Sequence, residues 1–162
     1  MSDQLDDLFD IQPYVEEIQK EFLAIDWRNP LALFMLKQLQ GGAKFSFHQA
    51  ESPSGEKWPD IAEATKQAKG RDDILIDTER LVRSLTESGH EDAIRVIRKE
   101  SRDSWLAVFG TGVEYSAIHN EGLGITKREH VGTTDHQIDE LVDQLGLWGI
   151  SELERVVGSN TP

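Results

Sequence analysis

His119 and Glu121 stand two residues apart, Glu129 and His130 are neighbours and His136 follows, so the second half of the chain gathers imidazoles and carboxylates suited to a general base or a metal site. Their spacing completes neither. No pair has the His-Glu-x-x-His arrangement that sets two imidazoles and a base on one helical face. The chain contains no cysteine, which removes thiolate nucleophiles, disulfides and cysteine-based zinc sites together. Gly110-Thr111-Gly112 lacks the Gly-Lys-Ser/Thr of a nucleoside triphosphate loop, and no Gly-x-Ser-x-Gly elbow presents a serine nucleophile. The 30 acidic residues are scattered along what read as solvated helix faces, so no acid/base pair stands out. On this reading no residue is catalytic and no cofactor or metal is expected. His119 is expected as a partly buried side chain, hydrogen-bonded to backbone or to the segment around Arg128. The enzyme alternative is a small hydrolase built on His119 with Glu121 or His130.

The elements that position these groups centre on residues 103–122, DSWLAVFGTGVEYSAIHNEG. Trp105 to Phe109 mix aromatic and β-branched residues, the composition of a strand, and Gly110 and Gly112 punctuate its end. Tyr115, Ile118 and His119 then recur at helical spacing, with Gly122 free to take the left-handed conformation that stops the turn. Ile94 to Ser101 reads as the antiparallel partner of 103–109, with Ile94 and Val96 on one face and residues 101–104 as the turn.

Ahead of this unit, residues 1–12 carry Asp3, Asp6, Asp7 and Asp10 without a basic residue and read as a flexible acidic N-terminus, leaving 13–158 as a single domain. Pro13 starts a helix over 13–26 with Val15, Ile18, Phe22 and Ile25 as its buried stripe. Asn29-Pro30 starts a second, with Leu31, Phe34, Met35 and Leu39 inward and Gly41-Gly42 as its stop. Phe45 and Phe47 alternate with polar residues as in a short strand, Pro53 to Gly55 forms a turn, and Trp58 is a buried anchor. Residues 60–70 form at most a peripheral helix, and Leu81, Val82 and Leu85 face inward on a helix capped by Asp77 or Thr78. Val131-Gly132 reads as a last strand or extended arm. Thr134 and Gln137 form a capping box for a helix with Ile138, Leu141, Val142 and Leu145 inward, ended by Gly146, and a last amphipathic turn holds Leu153, Val156 and Val157. The fold expected is α+β: a small antiparallel sheet of three or four strands with helices packed mainly on one face.

A net charge of -13 argues against nucleic acid as the main ligand, because phosphate binding draws on Lys and Arg. The absence of a long apolar run, with an acidic start, predicts a soluble cytoplasmic protein with no membrane partner. One stretch, RVIRKESR over 95–102, is locally basic. Arg95, Arg98, Lys99 and Arg102 form a candidate self-association edge that an acidic face of a second copy would complement.

Three ordered groups of residues carry a family resemblance over roughly 30–145. The first is a phenylalanine, then Pro53-Ser-Gly55 and Lys57-Trp58. The second is ILIDTERLVRSL over 74–85, with Leu81 and with Glu79 where a glycine is usual, a departure that suggests an earlier helix start. The third is the strand, Gly110-Thr111, then Tyr115-Ser-Ala-Ile-His119-Asn-Glu-Gly122, followed by Arg128, Gly132 and Thr134, with Thr126 replacing a usual proline. This pattern resembles the phage virion morphogenesis family, the tail completion proteins of tailed bacteriophages and prophages. The resemblance implies a structural protein of virion assembly, without catalytic residues, that joins head to tail. It would act as copies in a ring on tail-tube or connector proteins, located in the virion and, during assembly, in the host bacterial cytoplasm. A regulatory binding module on the same scaffold is the remaining alternative.

Overall fold

The computed structural model describes residues 11–159, so nearly all of the acidic N-terminus expected over 1–12 lies outside the described residues. The first helix, α1, spans Gln12–Ala24, and its last turn is followed by Ile25, buried at 6% exposure. The expected inward stripe is otherwise open: Val15, Ile18 and Phe22 are 45–53% exposed.

From Arg28 to Gln49 the chain is one uninterrupted helical rod, made of α2 (Arg28–Phe34), a π-helical segment (Met35–Gln40) and α3 (Gly41–Gln49). The stop expected at Gly41-Gly42 and the strand expected at Phe45 and Phe47 are thus both corrected. Gly41 takes ordinary right-handed helical angles, and burial of Ala43 and Phe47 in the core outweighs the helical cost of two glycines, about 1 kcal/mol each. Two residues apart is about 200° around a helix, so Phe45 and Phe47 fall on opposite sides just as they would in a strand. Phe45 is 57% exposed and Phe47 is 6% exposed. The π segment inserts a residue into the helical repeat and turns Gln40 inward. Its amide donates to the Thr86 carbonyl at 2.6 Å and its oxygen accepts from Ser88 Oγ at 3.1 Å. Ala50, at φ 53°, ends the rod.

A tight loop closed by a bridge between Glu51 and Lys57 leads to Trp58, and α4 (Glu63–Lys69) lies at the periphery with no buried residue. Helix α5 (Arg80–Thr86) buries Leu81, Ser84 and Leu85. Strands β1 (Ala93–Lys99) and β2 (Trp105–Thr111) pair antiparallel, Ala93 opposite Thr111 and Lys99 opposite Trp105. Gly110 therefore lies inside the strand rather than beyond it. Among the described residues the sheet has these two strands, not three or four, because 41–49 is helical and Val131-Gly132 is loop. The class α+β stands, with helices dominant.

Short α6 (Ser116–Glu121) follows, then a long loop and α7 (Asp135–Ser159). The capping box that starts α7 is formed: Gln137 N–H donates to Thr134 Oγ1 at 3.3 Å and Thr134 N–H to Gln137 Oε1 at 2.9 Å. The helix does not stop at Gly146. It continues past Gly149, where an added Cβ would lie 2.8 Å from Trp27 and 3.2 Å from Phe22, so the absence of a side chain lets the end of α1 cross α7. The predicted stripe is only half inward, with Ile138 and Val142 at 42% and 62% exposure. The core comprises Ala43, Phe47, Trp58, Leu81, Leu85 and Val113, where α3, α5 and the end of β2 meet.

Candidate functional site

Helix α6 and the loop behind it bring most of the singled-out residues together. Gly122 ends α6 at φ 70°, and an added Cβ would lie 2.8 Å from Lys127 Cβ, so the return of the loop at 127 requires glycine there. The returning strand of loop is held from the last turn of α6: Arg128 N–H donates to the His119 carbonyl at 2.8 Å. Asn120 Oδ1 accepts from His130 N–H at 2.9 Å and Val131 N–H at 3.0 Å. Arg128, 9% exposed, reaches across to the carbonyls of Pro59 and Asp60, both at 3.0 Å. Trp58 is the anchor expected, its indole N–H donating to the Glu129 carbonyl at 2.8 Å while Phe47 meets its ring edge-on. Gly132 sits where a side chain would strike Glu129 Oε1 at 2.7 Å.

His130 lies at the centre, fully buried and tilted against Phe47. Its Nδ1 is 2.9 Å from the Arg128 carbonyl, which can only accept, so Nδ1 carries the proton and Nε2 accepts from Ser116 Oγ at 2.9 Å. Burial pushes its pKa below the ordinary histidine range, keeping it neutral. The pair has the contact of an activated serine without its access: Ser116 is 8% exposed and His130 is sealed.

The other histidines are separate. His119 packs edge-on to Tyr115 and lines an open cleft of about 330 Å³ with Arg128, Asp77 and Thr78. Its pKa is also lowered, by burial first and by Arg128 second, and its Nδ1 has no hydrogen-bond partner. Glu121 accepts from Asn120 instead, Glu129 pairs with Lys127 at 2.8 Å, and His136 is exposed beside Glu140. Neither His119–Glu121 nor His119–His130 is a hydrogen-bonded pair. Among the described residues no group of three or more His, Asp or Glu is placed to hold a metal ion.

The basic stretch is divided by the pleat of β1. Arg95 faces the helices, stacked 3.8 Å over Phe109, donating to the carbonyls of Leu85 and Gly110 at 2.8 Å and of Ser84 at 3.3 Å. With Gln40 on Thr86, it satisfies the orphan carbonyls at the end of α5. Lys99 does the same for α1, donating to the Leu23 carbonyl at 3.0 Å. Arg102 lines a crevice with Glu16 and Lys20 of the same chain, and Arg98 pairs with Glu100. Of the candidate edge, Arg95 is thus turned onto the helices, while Arg98, Lys99 and Arg102 are exposed.

Against protein-family models, curated proteins and solved structures, the chain finds no match. Among the described residues no helix is long and apolar enough to cross a membrane.

Sequence reasoning missed Ser116 and Asn120, which build the site as firmly as His130 does, and the bidentate Arg80–Asp92 pair at 2.7 and 2.9 Å that ties α5 to the start of β1. Nothing in their spacing marks them, since each acts on a partner 10 or more positions away. Glu79 carries a further surprise. It does not move the helix start earlier; it takes the left-handed conformation itself, φ 62°, directly before α5.

Proposed function

We propose that the chain is a structural protein of virion assembly, a tail completion or head-to-tail joining protein that works as copies of itself docked on tail-tube or connector proteins. What supports this reading most is the backbone at Glu79. The family it resembles has a glycine at this position, and a non-glycine residue with φ near +60° is uncommon and strained by roughly 1–2 kcal/mol. A left-handed backbone at the position where the resemblance expects glycine supports the reading. Trp58, Leu81, Gly122, Arg128 and Gly132 likewise have packing and loop-closing jobs, as suits a signature of scaffold rather than of catalysis.

The test uses tails purified from a phage or prophage lacking the corresponding gene. Added protein is expected to bind the tail end, seen by electron microscopy, and to restore joining to heads; failure to bind tails or connector proteins contradicts the proposal. The hydrolase reading draws on His119, which lines the cleft and whose buried Nδ1 has no hydrogen-bond partner. It requires that His119→Ala abolish a measured activity while leaving the fold intact.

A further inference from the structure

The largest feature left unused by the fold is the apolar stripe of α1. Ile11, Tyr14, Val15, Ile18 and Phe22 lie on one side of the helix at spacings of three and four, and they are 68%, 69%, 46%, 53% and 45% exposed. Phe22 is anchored edge-on against Trp27 and over Gly149, so the helix is fixed at its C-terminal end while the three turns before it present the stripe outward. A contiguous apolar patch on the order of 600 Å² is at the upper end for a monomer and approaches the ~800 Å² per partner of a standard interface.

The same chain carries a matching receptor elsewhere. Between the α2–π rod and β1 runs a groove of about 410 Å³, lined by Ala32, Met35, Leu36, Ile97, Ser88 and Arg95. Its apolar rim continues outward through Leu33 and Leu36, 46% and 54% exposed. At its polar end Ser88 Oγ uses its proton on Gln40 Oε1, leaving lone pairs able to accept from a phenol. The charges are complementary: Glu16, Glu17 and Glu21 flank the stripe against Lys20 alone, while the groove holds Arg95 and no carboxylate.

We propose that the occupant of this groove is α1 of a second copy of this chain, with Tyr14 entering the groove and Ile18 covering Leu33 and Leu36. Stripe and groove are different surfaces, so the contact is heterologous and repeats from copy to copy until it closes. The inference rests on the assembly reading and names the surfaces through which copies meet: α1 of one and the groove beside Arg95 and Ile97 of the next.

The absence of cysteine makes a direct test available. Chains carrying Tyr14→Cys are mixed with chains carrying Leu36→Cys under mild oxidation. A disulfide between unlike chains is the expected product, and Tyr14→Asp in the otherwise unaltered chain raises the dissociation constant of self-association roughly 30-fold or more with an unchanged unfolding midpoint. Cross-links only between two Tyr14→Cys chains would replace the heterologous contact with a symmetric one and overturn the proposal. So would an absence of cross-links at any concentration, which assigns the cover of α1 to the chain's own residues 1–10 or to another protein. Tail binding separates this from the assembly reading. A Tyr14→Asp chain that completes tails at full strength refutes the α1 contact alone; a wild-type chain that cross-links as expected but ignores tails refutes the assembly reading alone.

Discussion

Around His130, backbone and side-chain groups from α6, the 127–132 loop and the Trp58 loop are hydrogen-bonded to one another, and the imidazole is shut from water. Along α1, five large apolar side chains at regular spacing stand in solvent, held by the rest of the molecule only at the Phe22 end. Both regions are built from amphipathic helices and both read from sequence as buried. The difference teaches that hydrophobic periodicity reports a face to be covered without saying by what. Near His130 the cover is the chain's own loop, and on α1 no described residue supplies one.

Changes at the two ends should therefore part company in their readouts. Leu85→Ala, at a fully buried position, is expected to cost about 2–5 kcal/mol in chemical denaturation. A loss under 1 kcal/mol would mean that the core does not close there. Arg95→Met keeps the stem over Phe109 and strips the guanidinium from the carbonyls of Ser84, Leu85 and Gly110. About 1–3 kcal/mol should go, and self-association should weaken with it, because Arg95 is also the charge lining the groove proposed to receive α1. Lost association at unchanged stability would return the basic stretch to the surface role that its sequence suggested.

The sealed end also predicts a pH dependence. His130 has a folded pKa below its ordinary value of 6.5, so the unfolded chain takes up a proton that the folded chain refuses. Stability should fall as pH drops through 6.5 and level off below the folded value. Denaturation curves of His130→Gln should be flatter over that window; an equal slope would show that His130 is not the group responsible. Glu79→Gly sharpens the comparison from the other side, because relieving the left-handed strain outweighs the added chain entropy. A gain of roughly 0.5–1 kcal/mol is expected, and a loss would mean that the side chain is needed.

The sequence made the hairpin, the Thr134–Gln137 cap, the Trp58 anchor and the Gly122 stop legible, because each rests on local chemistry within a few residues. It misled where tertiary packing overrode local signals. Glycines at 41, 42 and 146 sit inside helices whose burial outweighs their cost, and Gly149 is there to admit Trp27. Phe45 and Phe47 mimic a strand because a helix also sets residues two apart on opposite sides. Of the candidate site, His119 and Arg128 were visible, but the hydrogen bond expected of the His119 side chain is absent at Nδ1, and the two residues meet through the Arg128 N–H and the His119 carbonyl instead. Ser116, Asn120 and the inward turn of Arg95 were not, since only the fold brings their partners near.

Hydrogen exchange of the intact protein over a hundredfold range of concentration tests the central claim most directly. The account predicts that amides of 12–22 and of the 32–40 rod gain protection together as concentration rises, while the 113–131 segment stays equally protected throughout. Exchange along α1 that ignores concentration, or protection that appears instead on residues 98–102 alone, would contradict it.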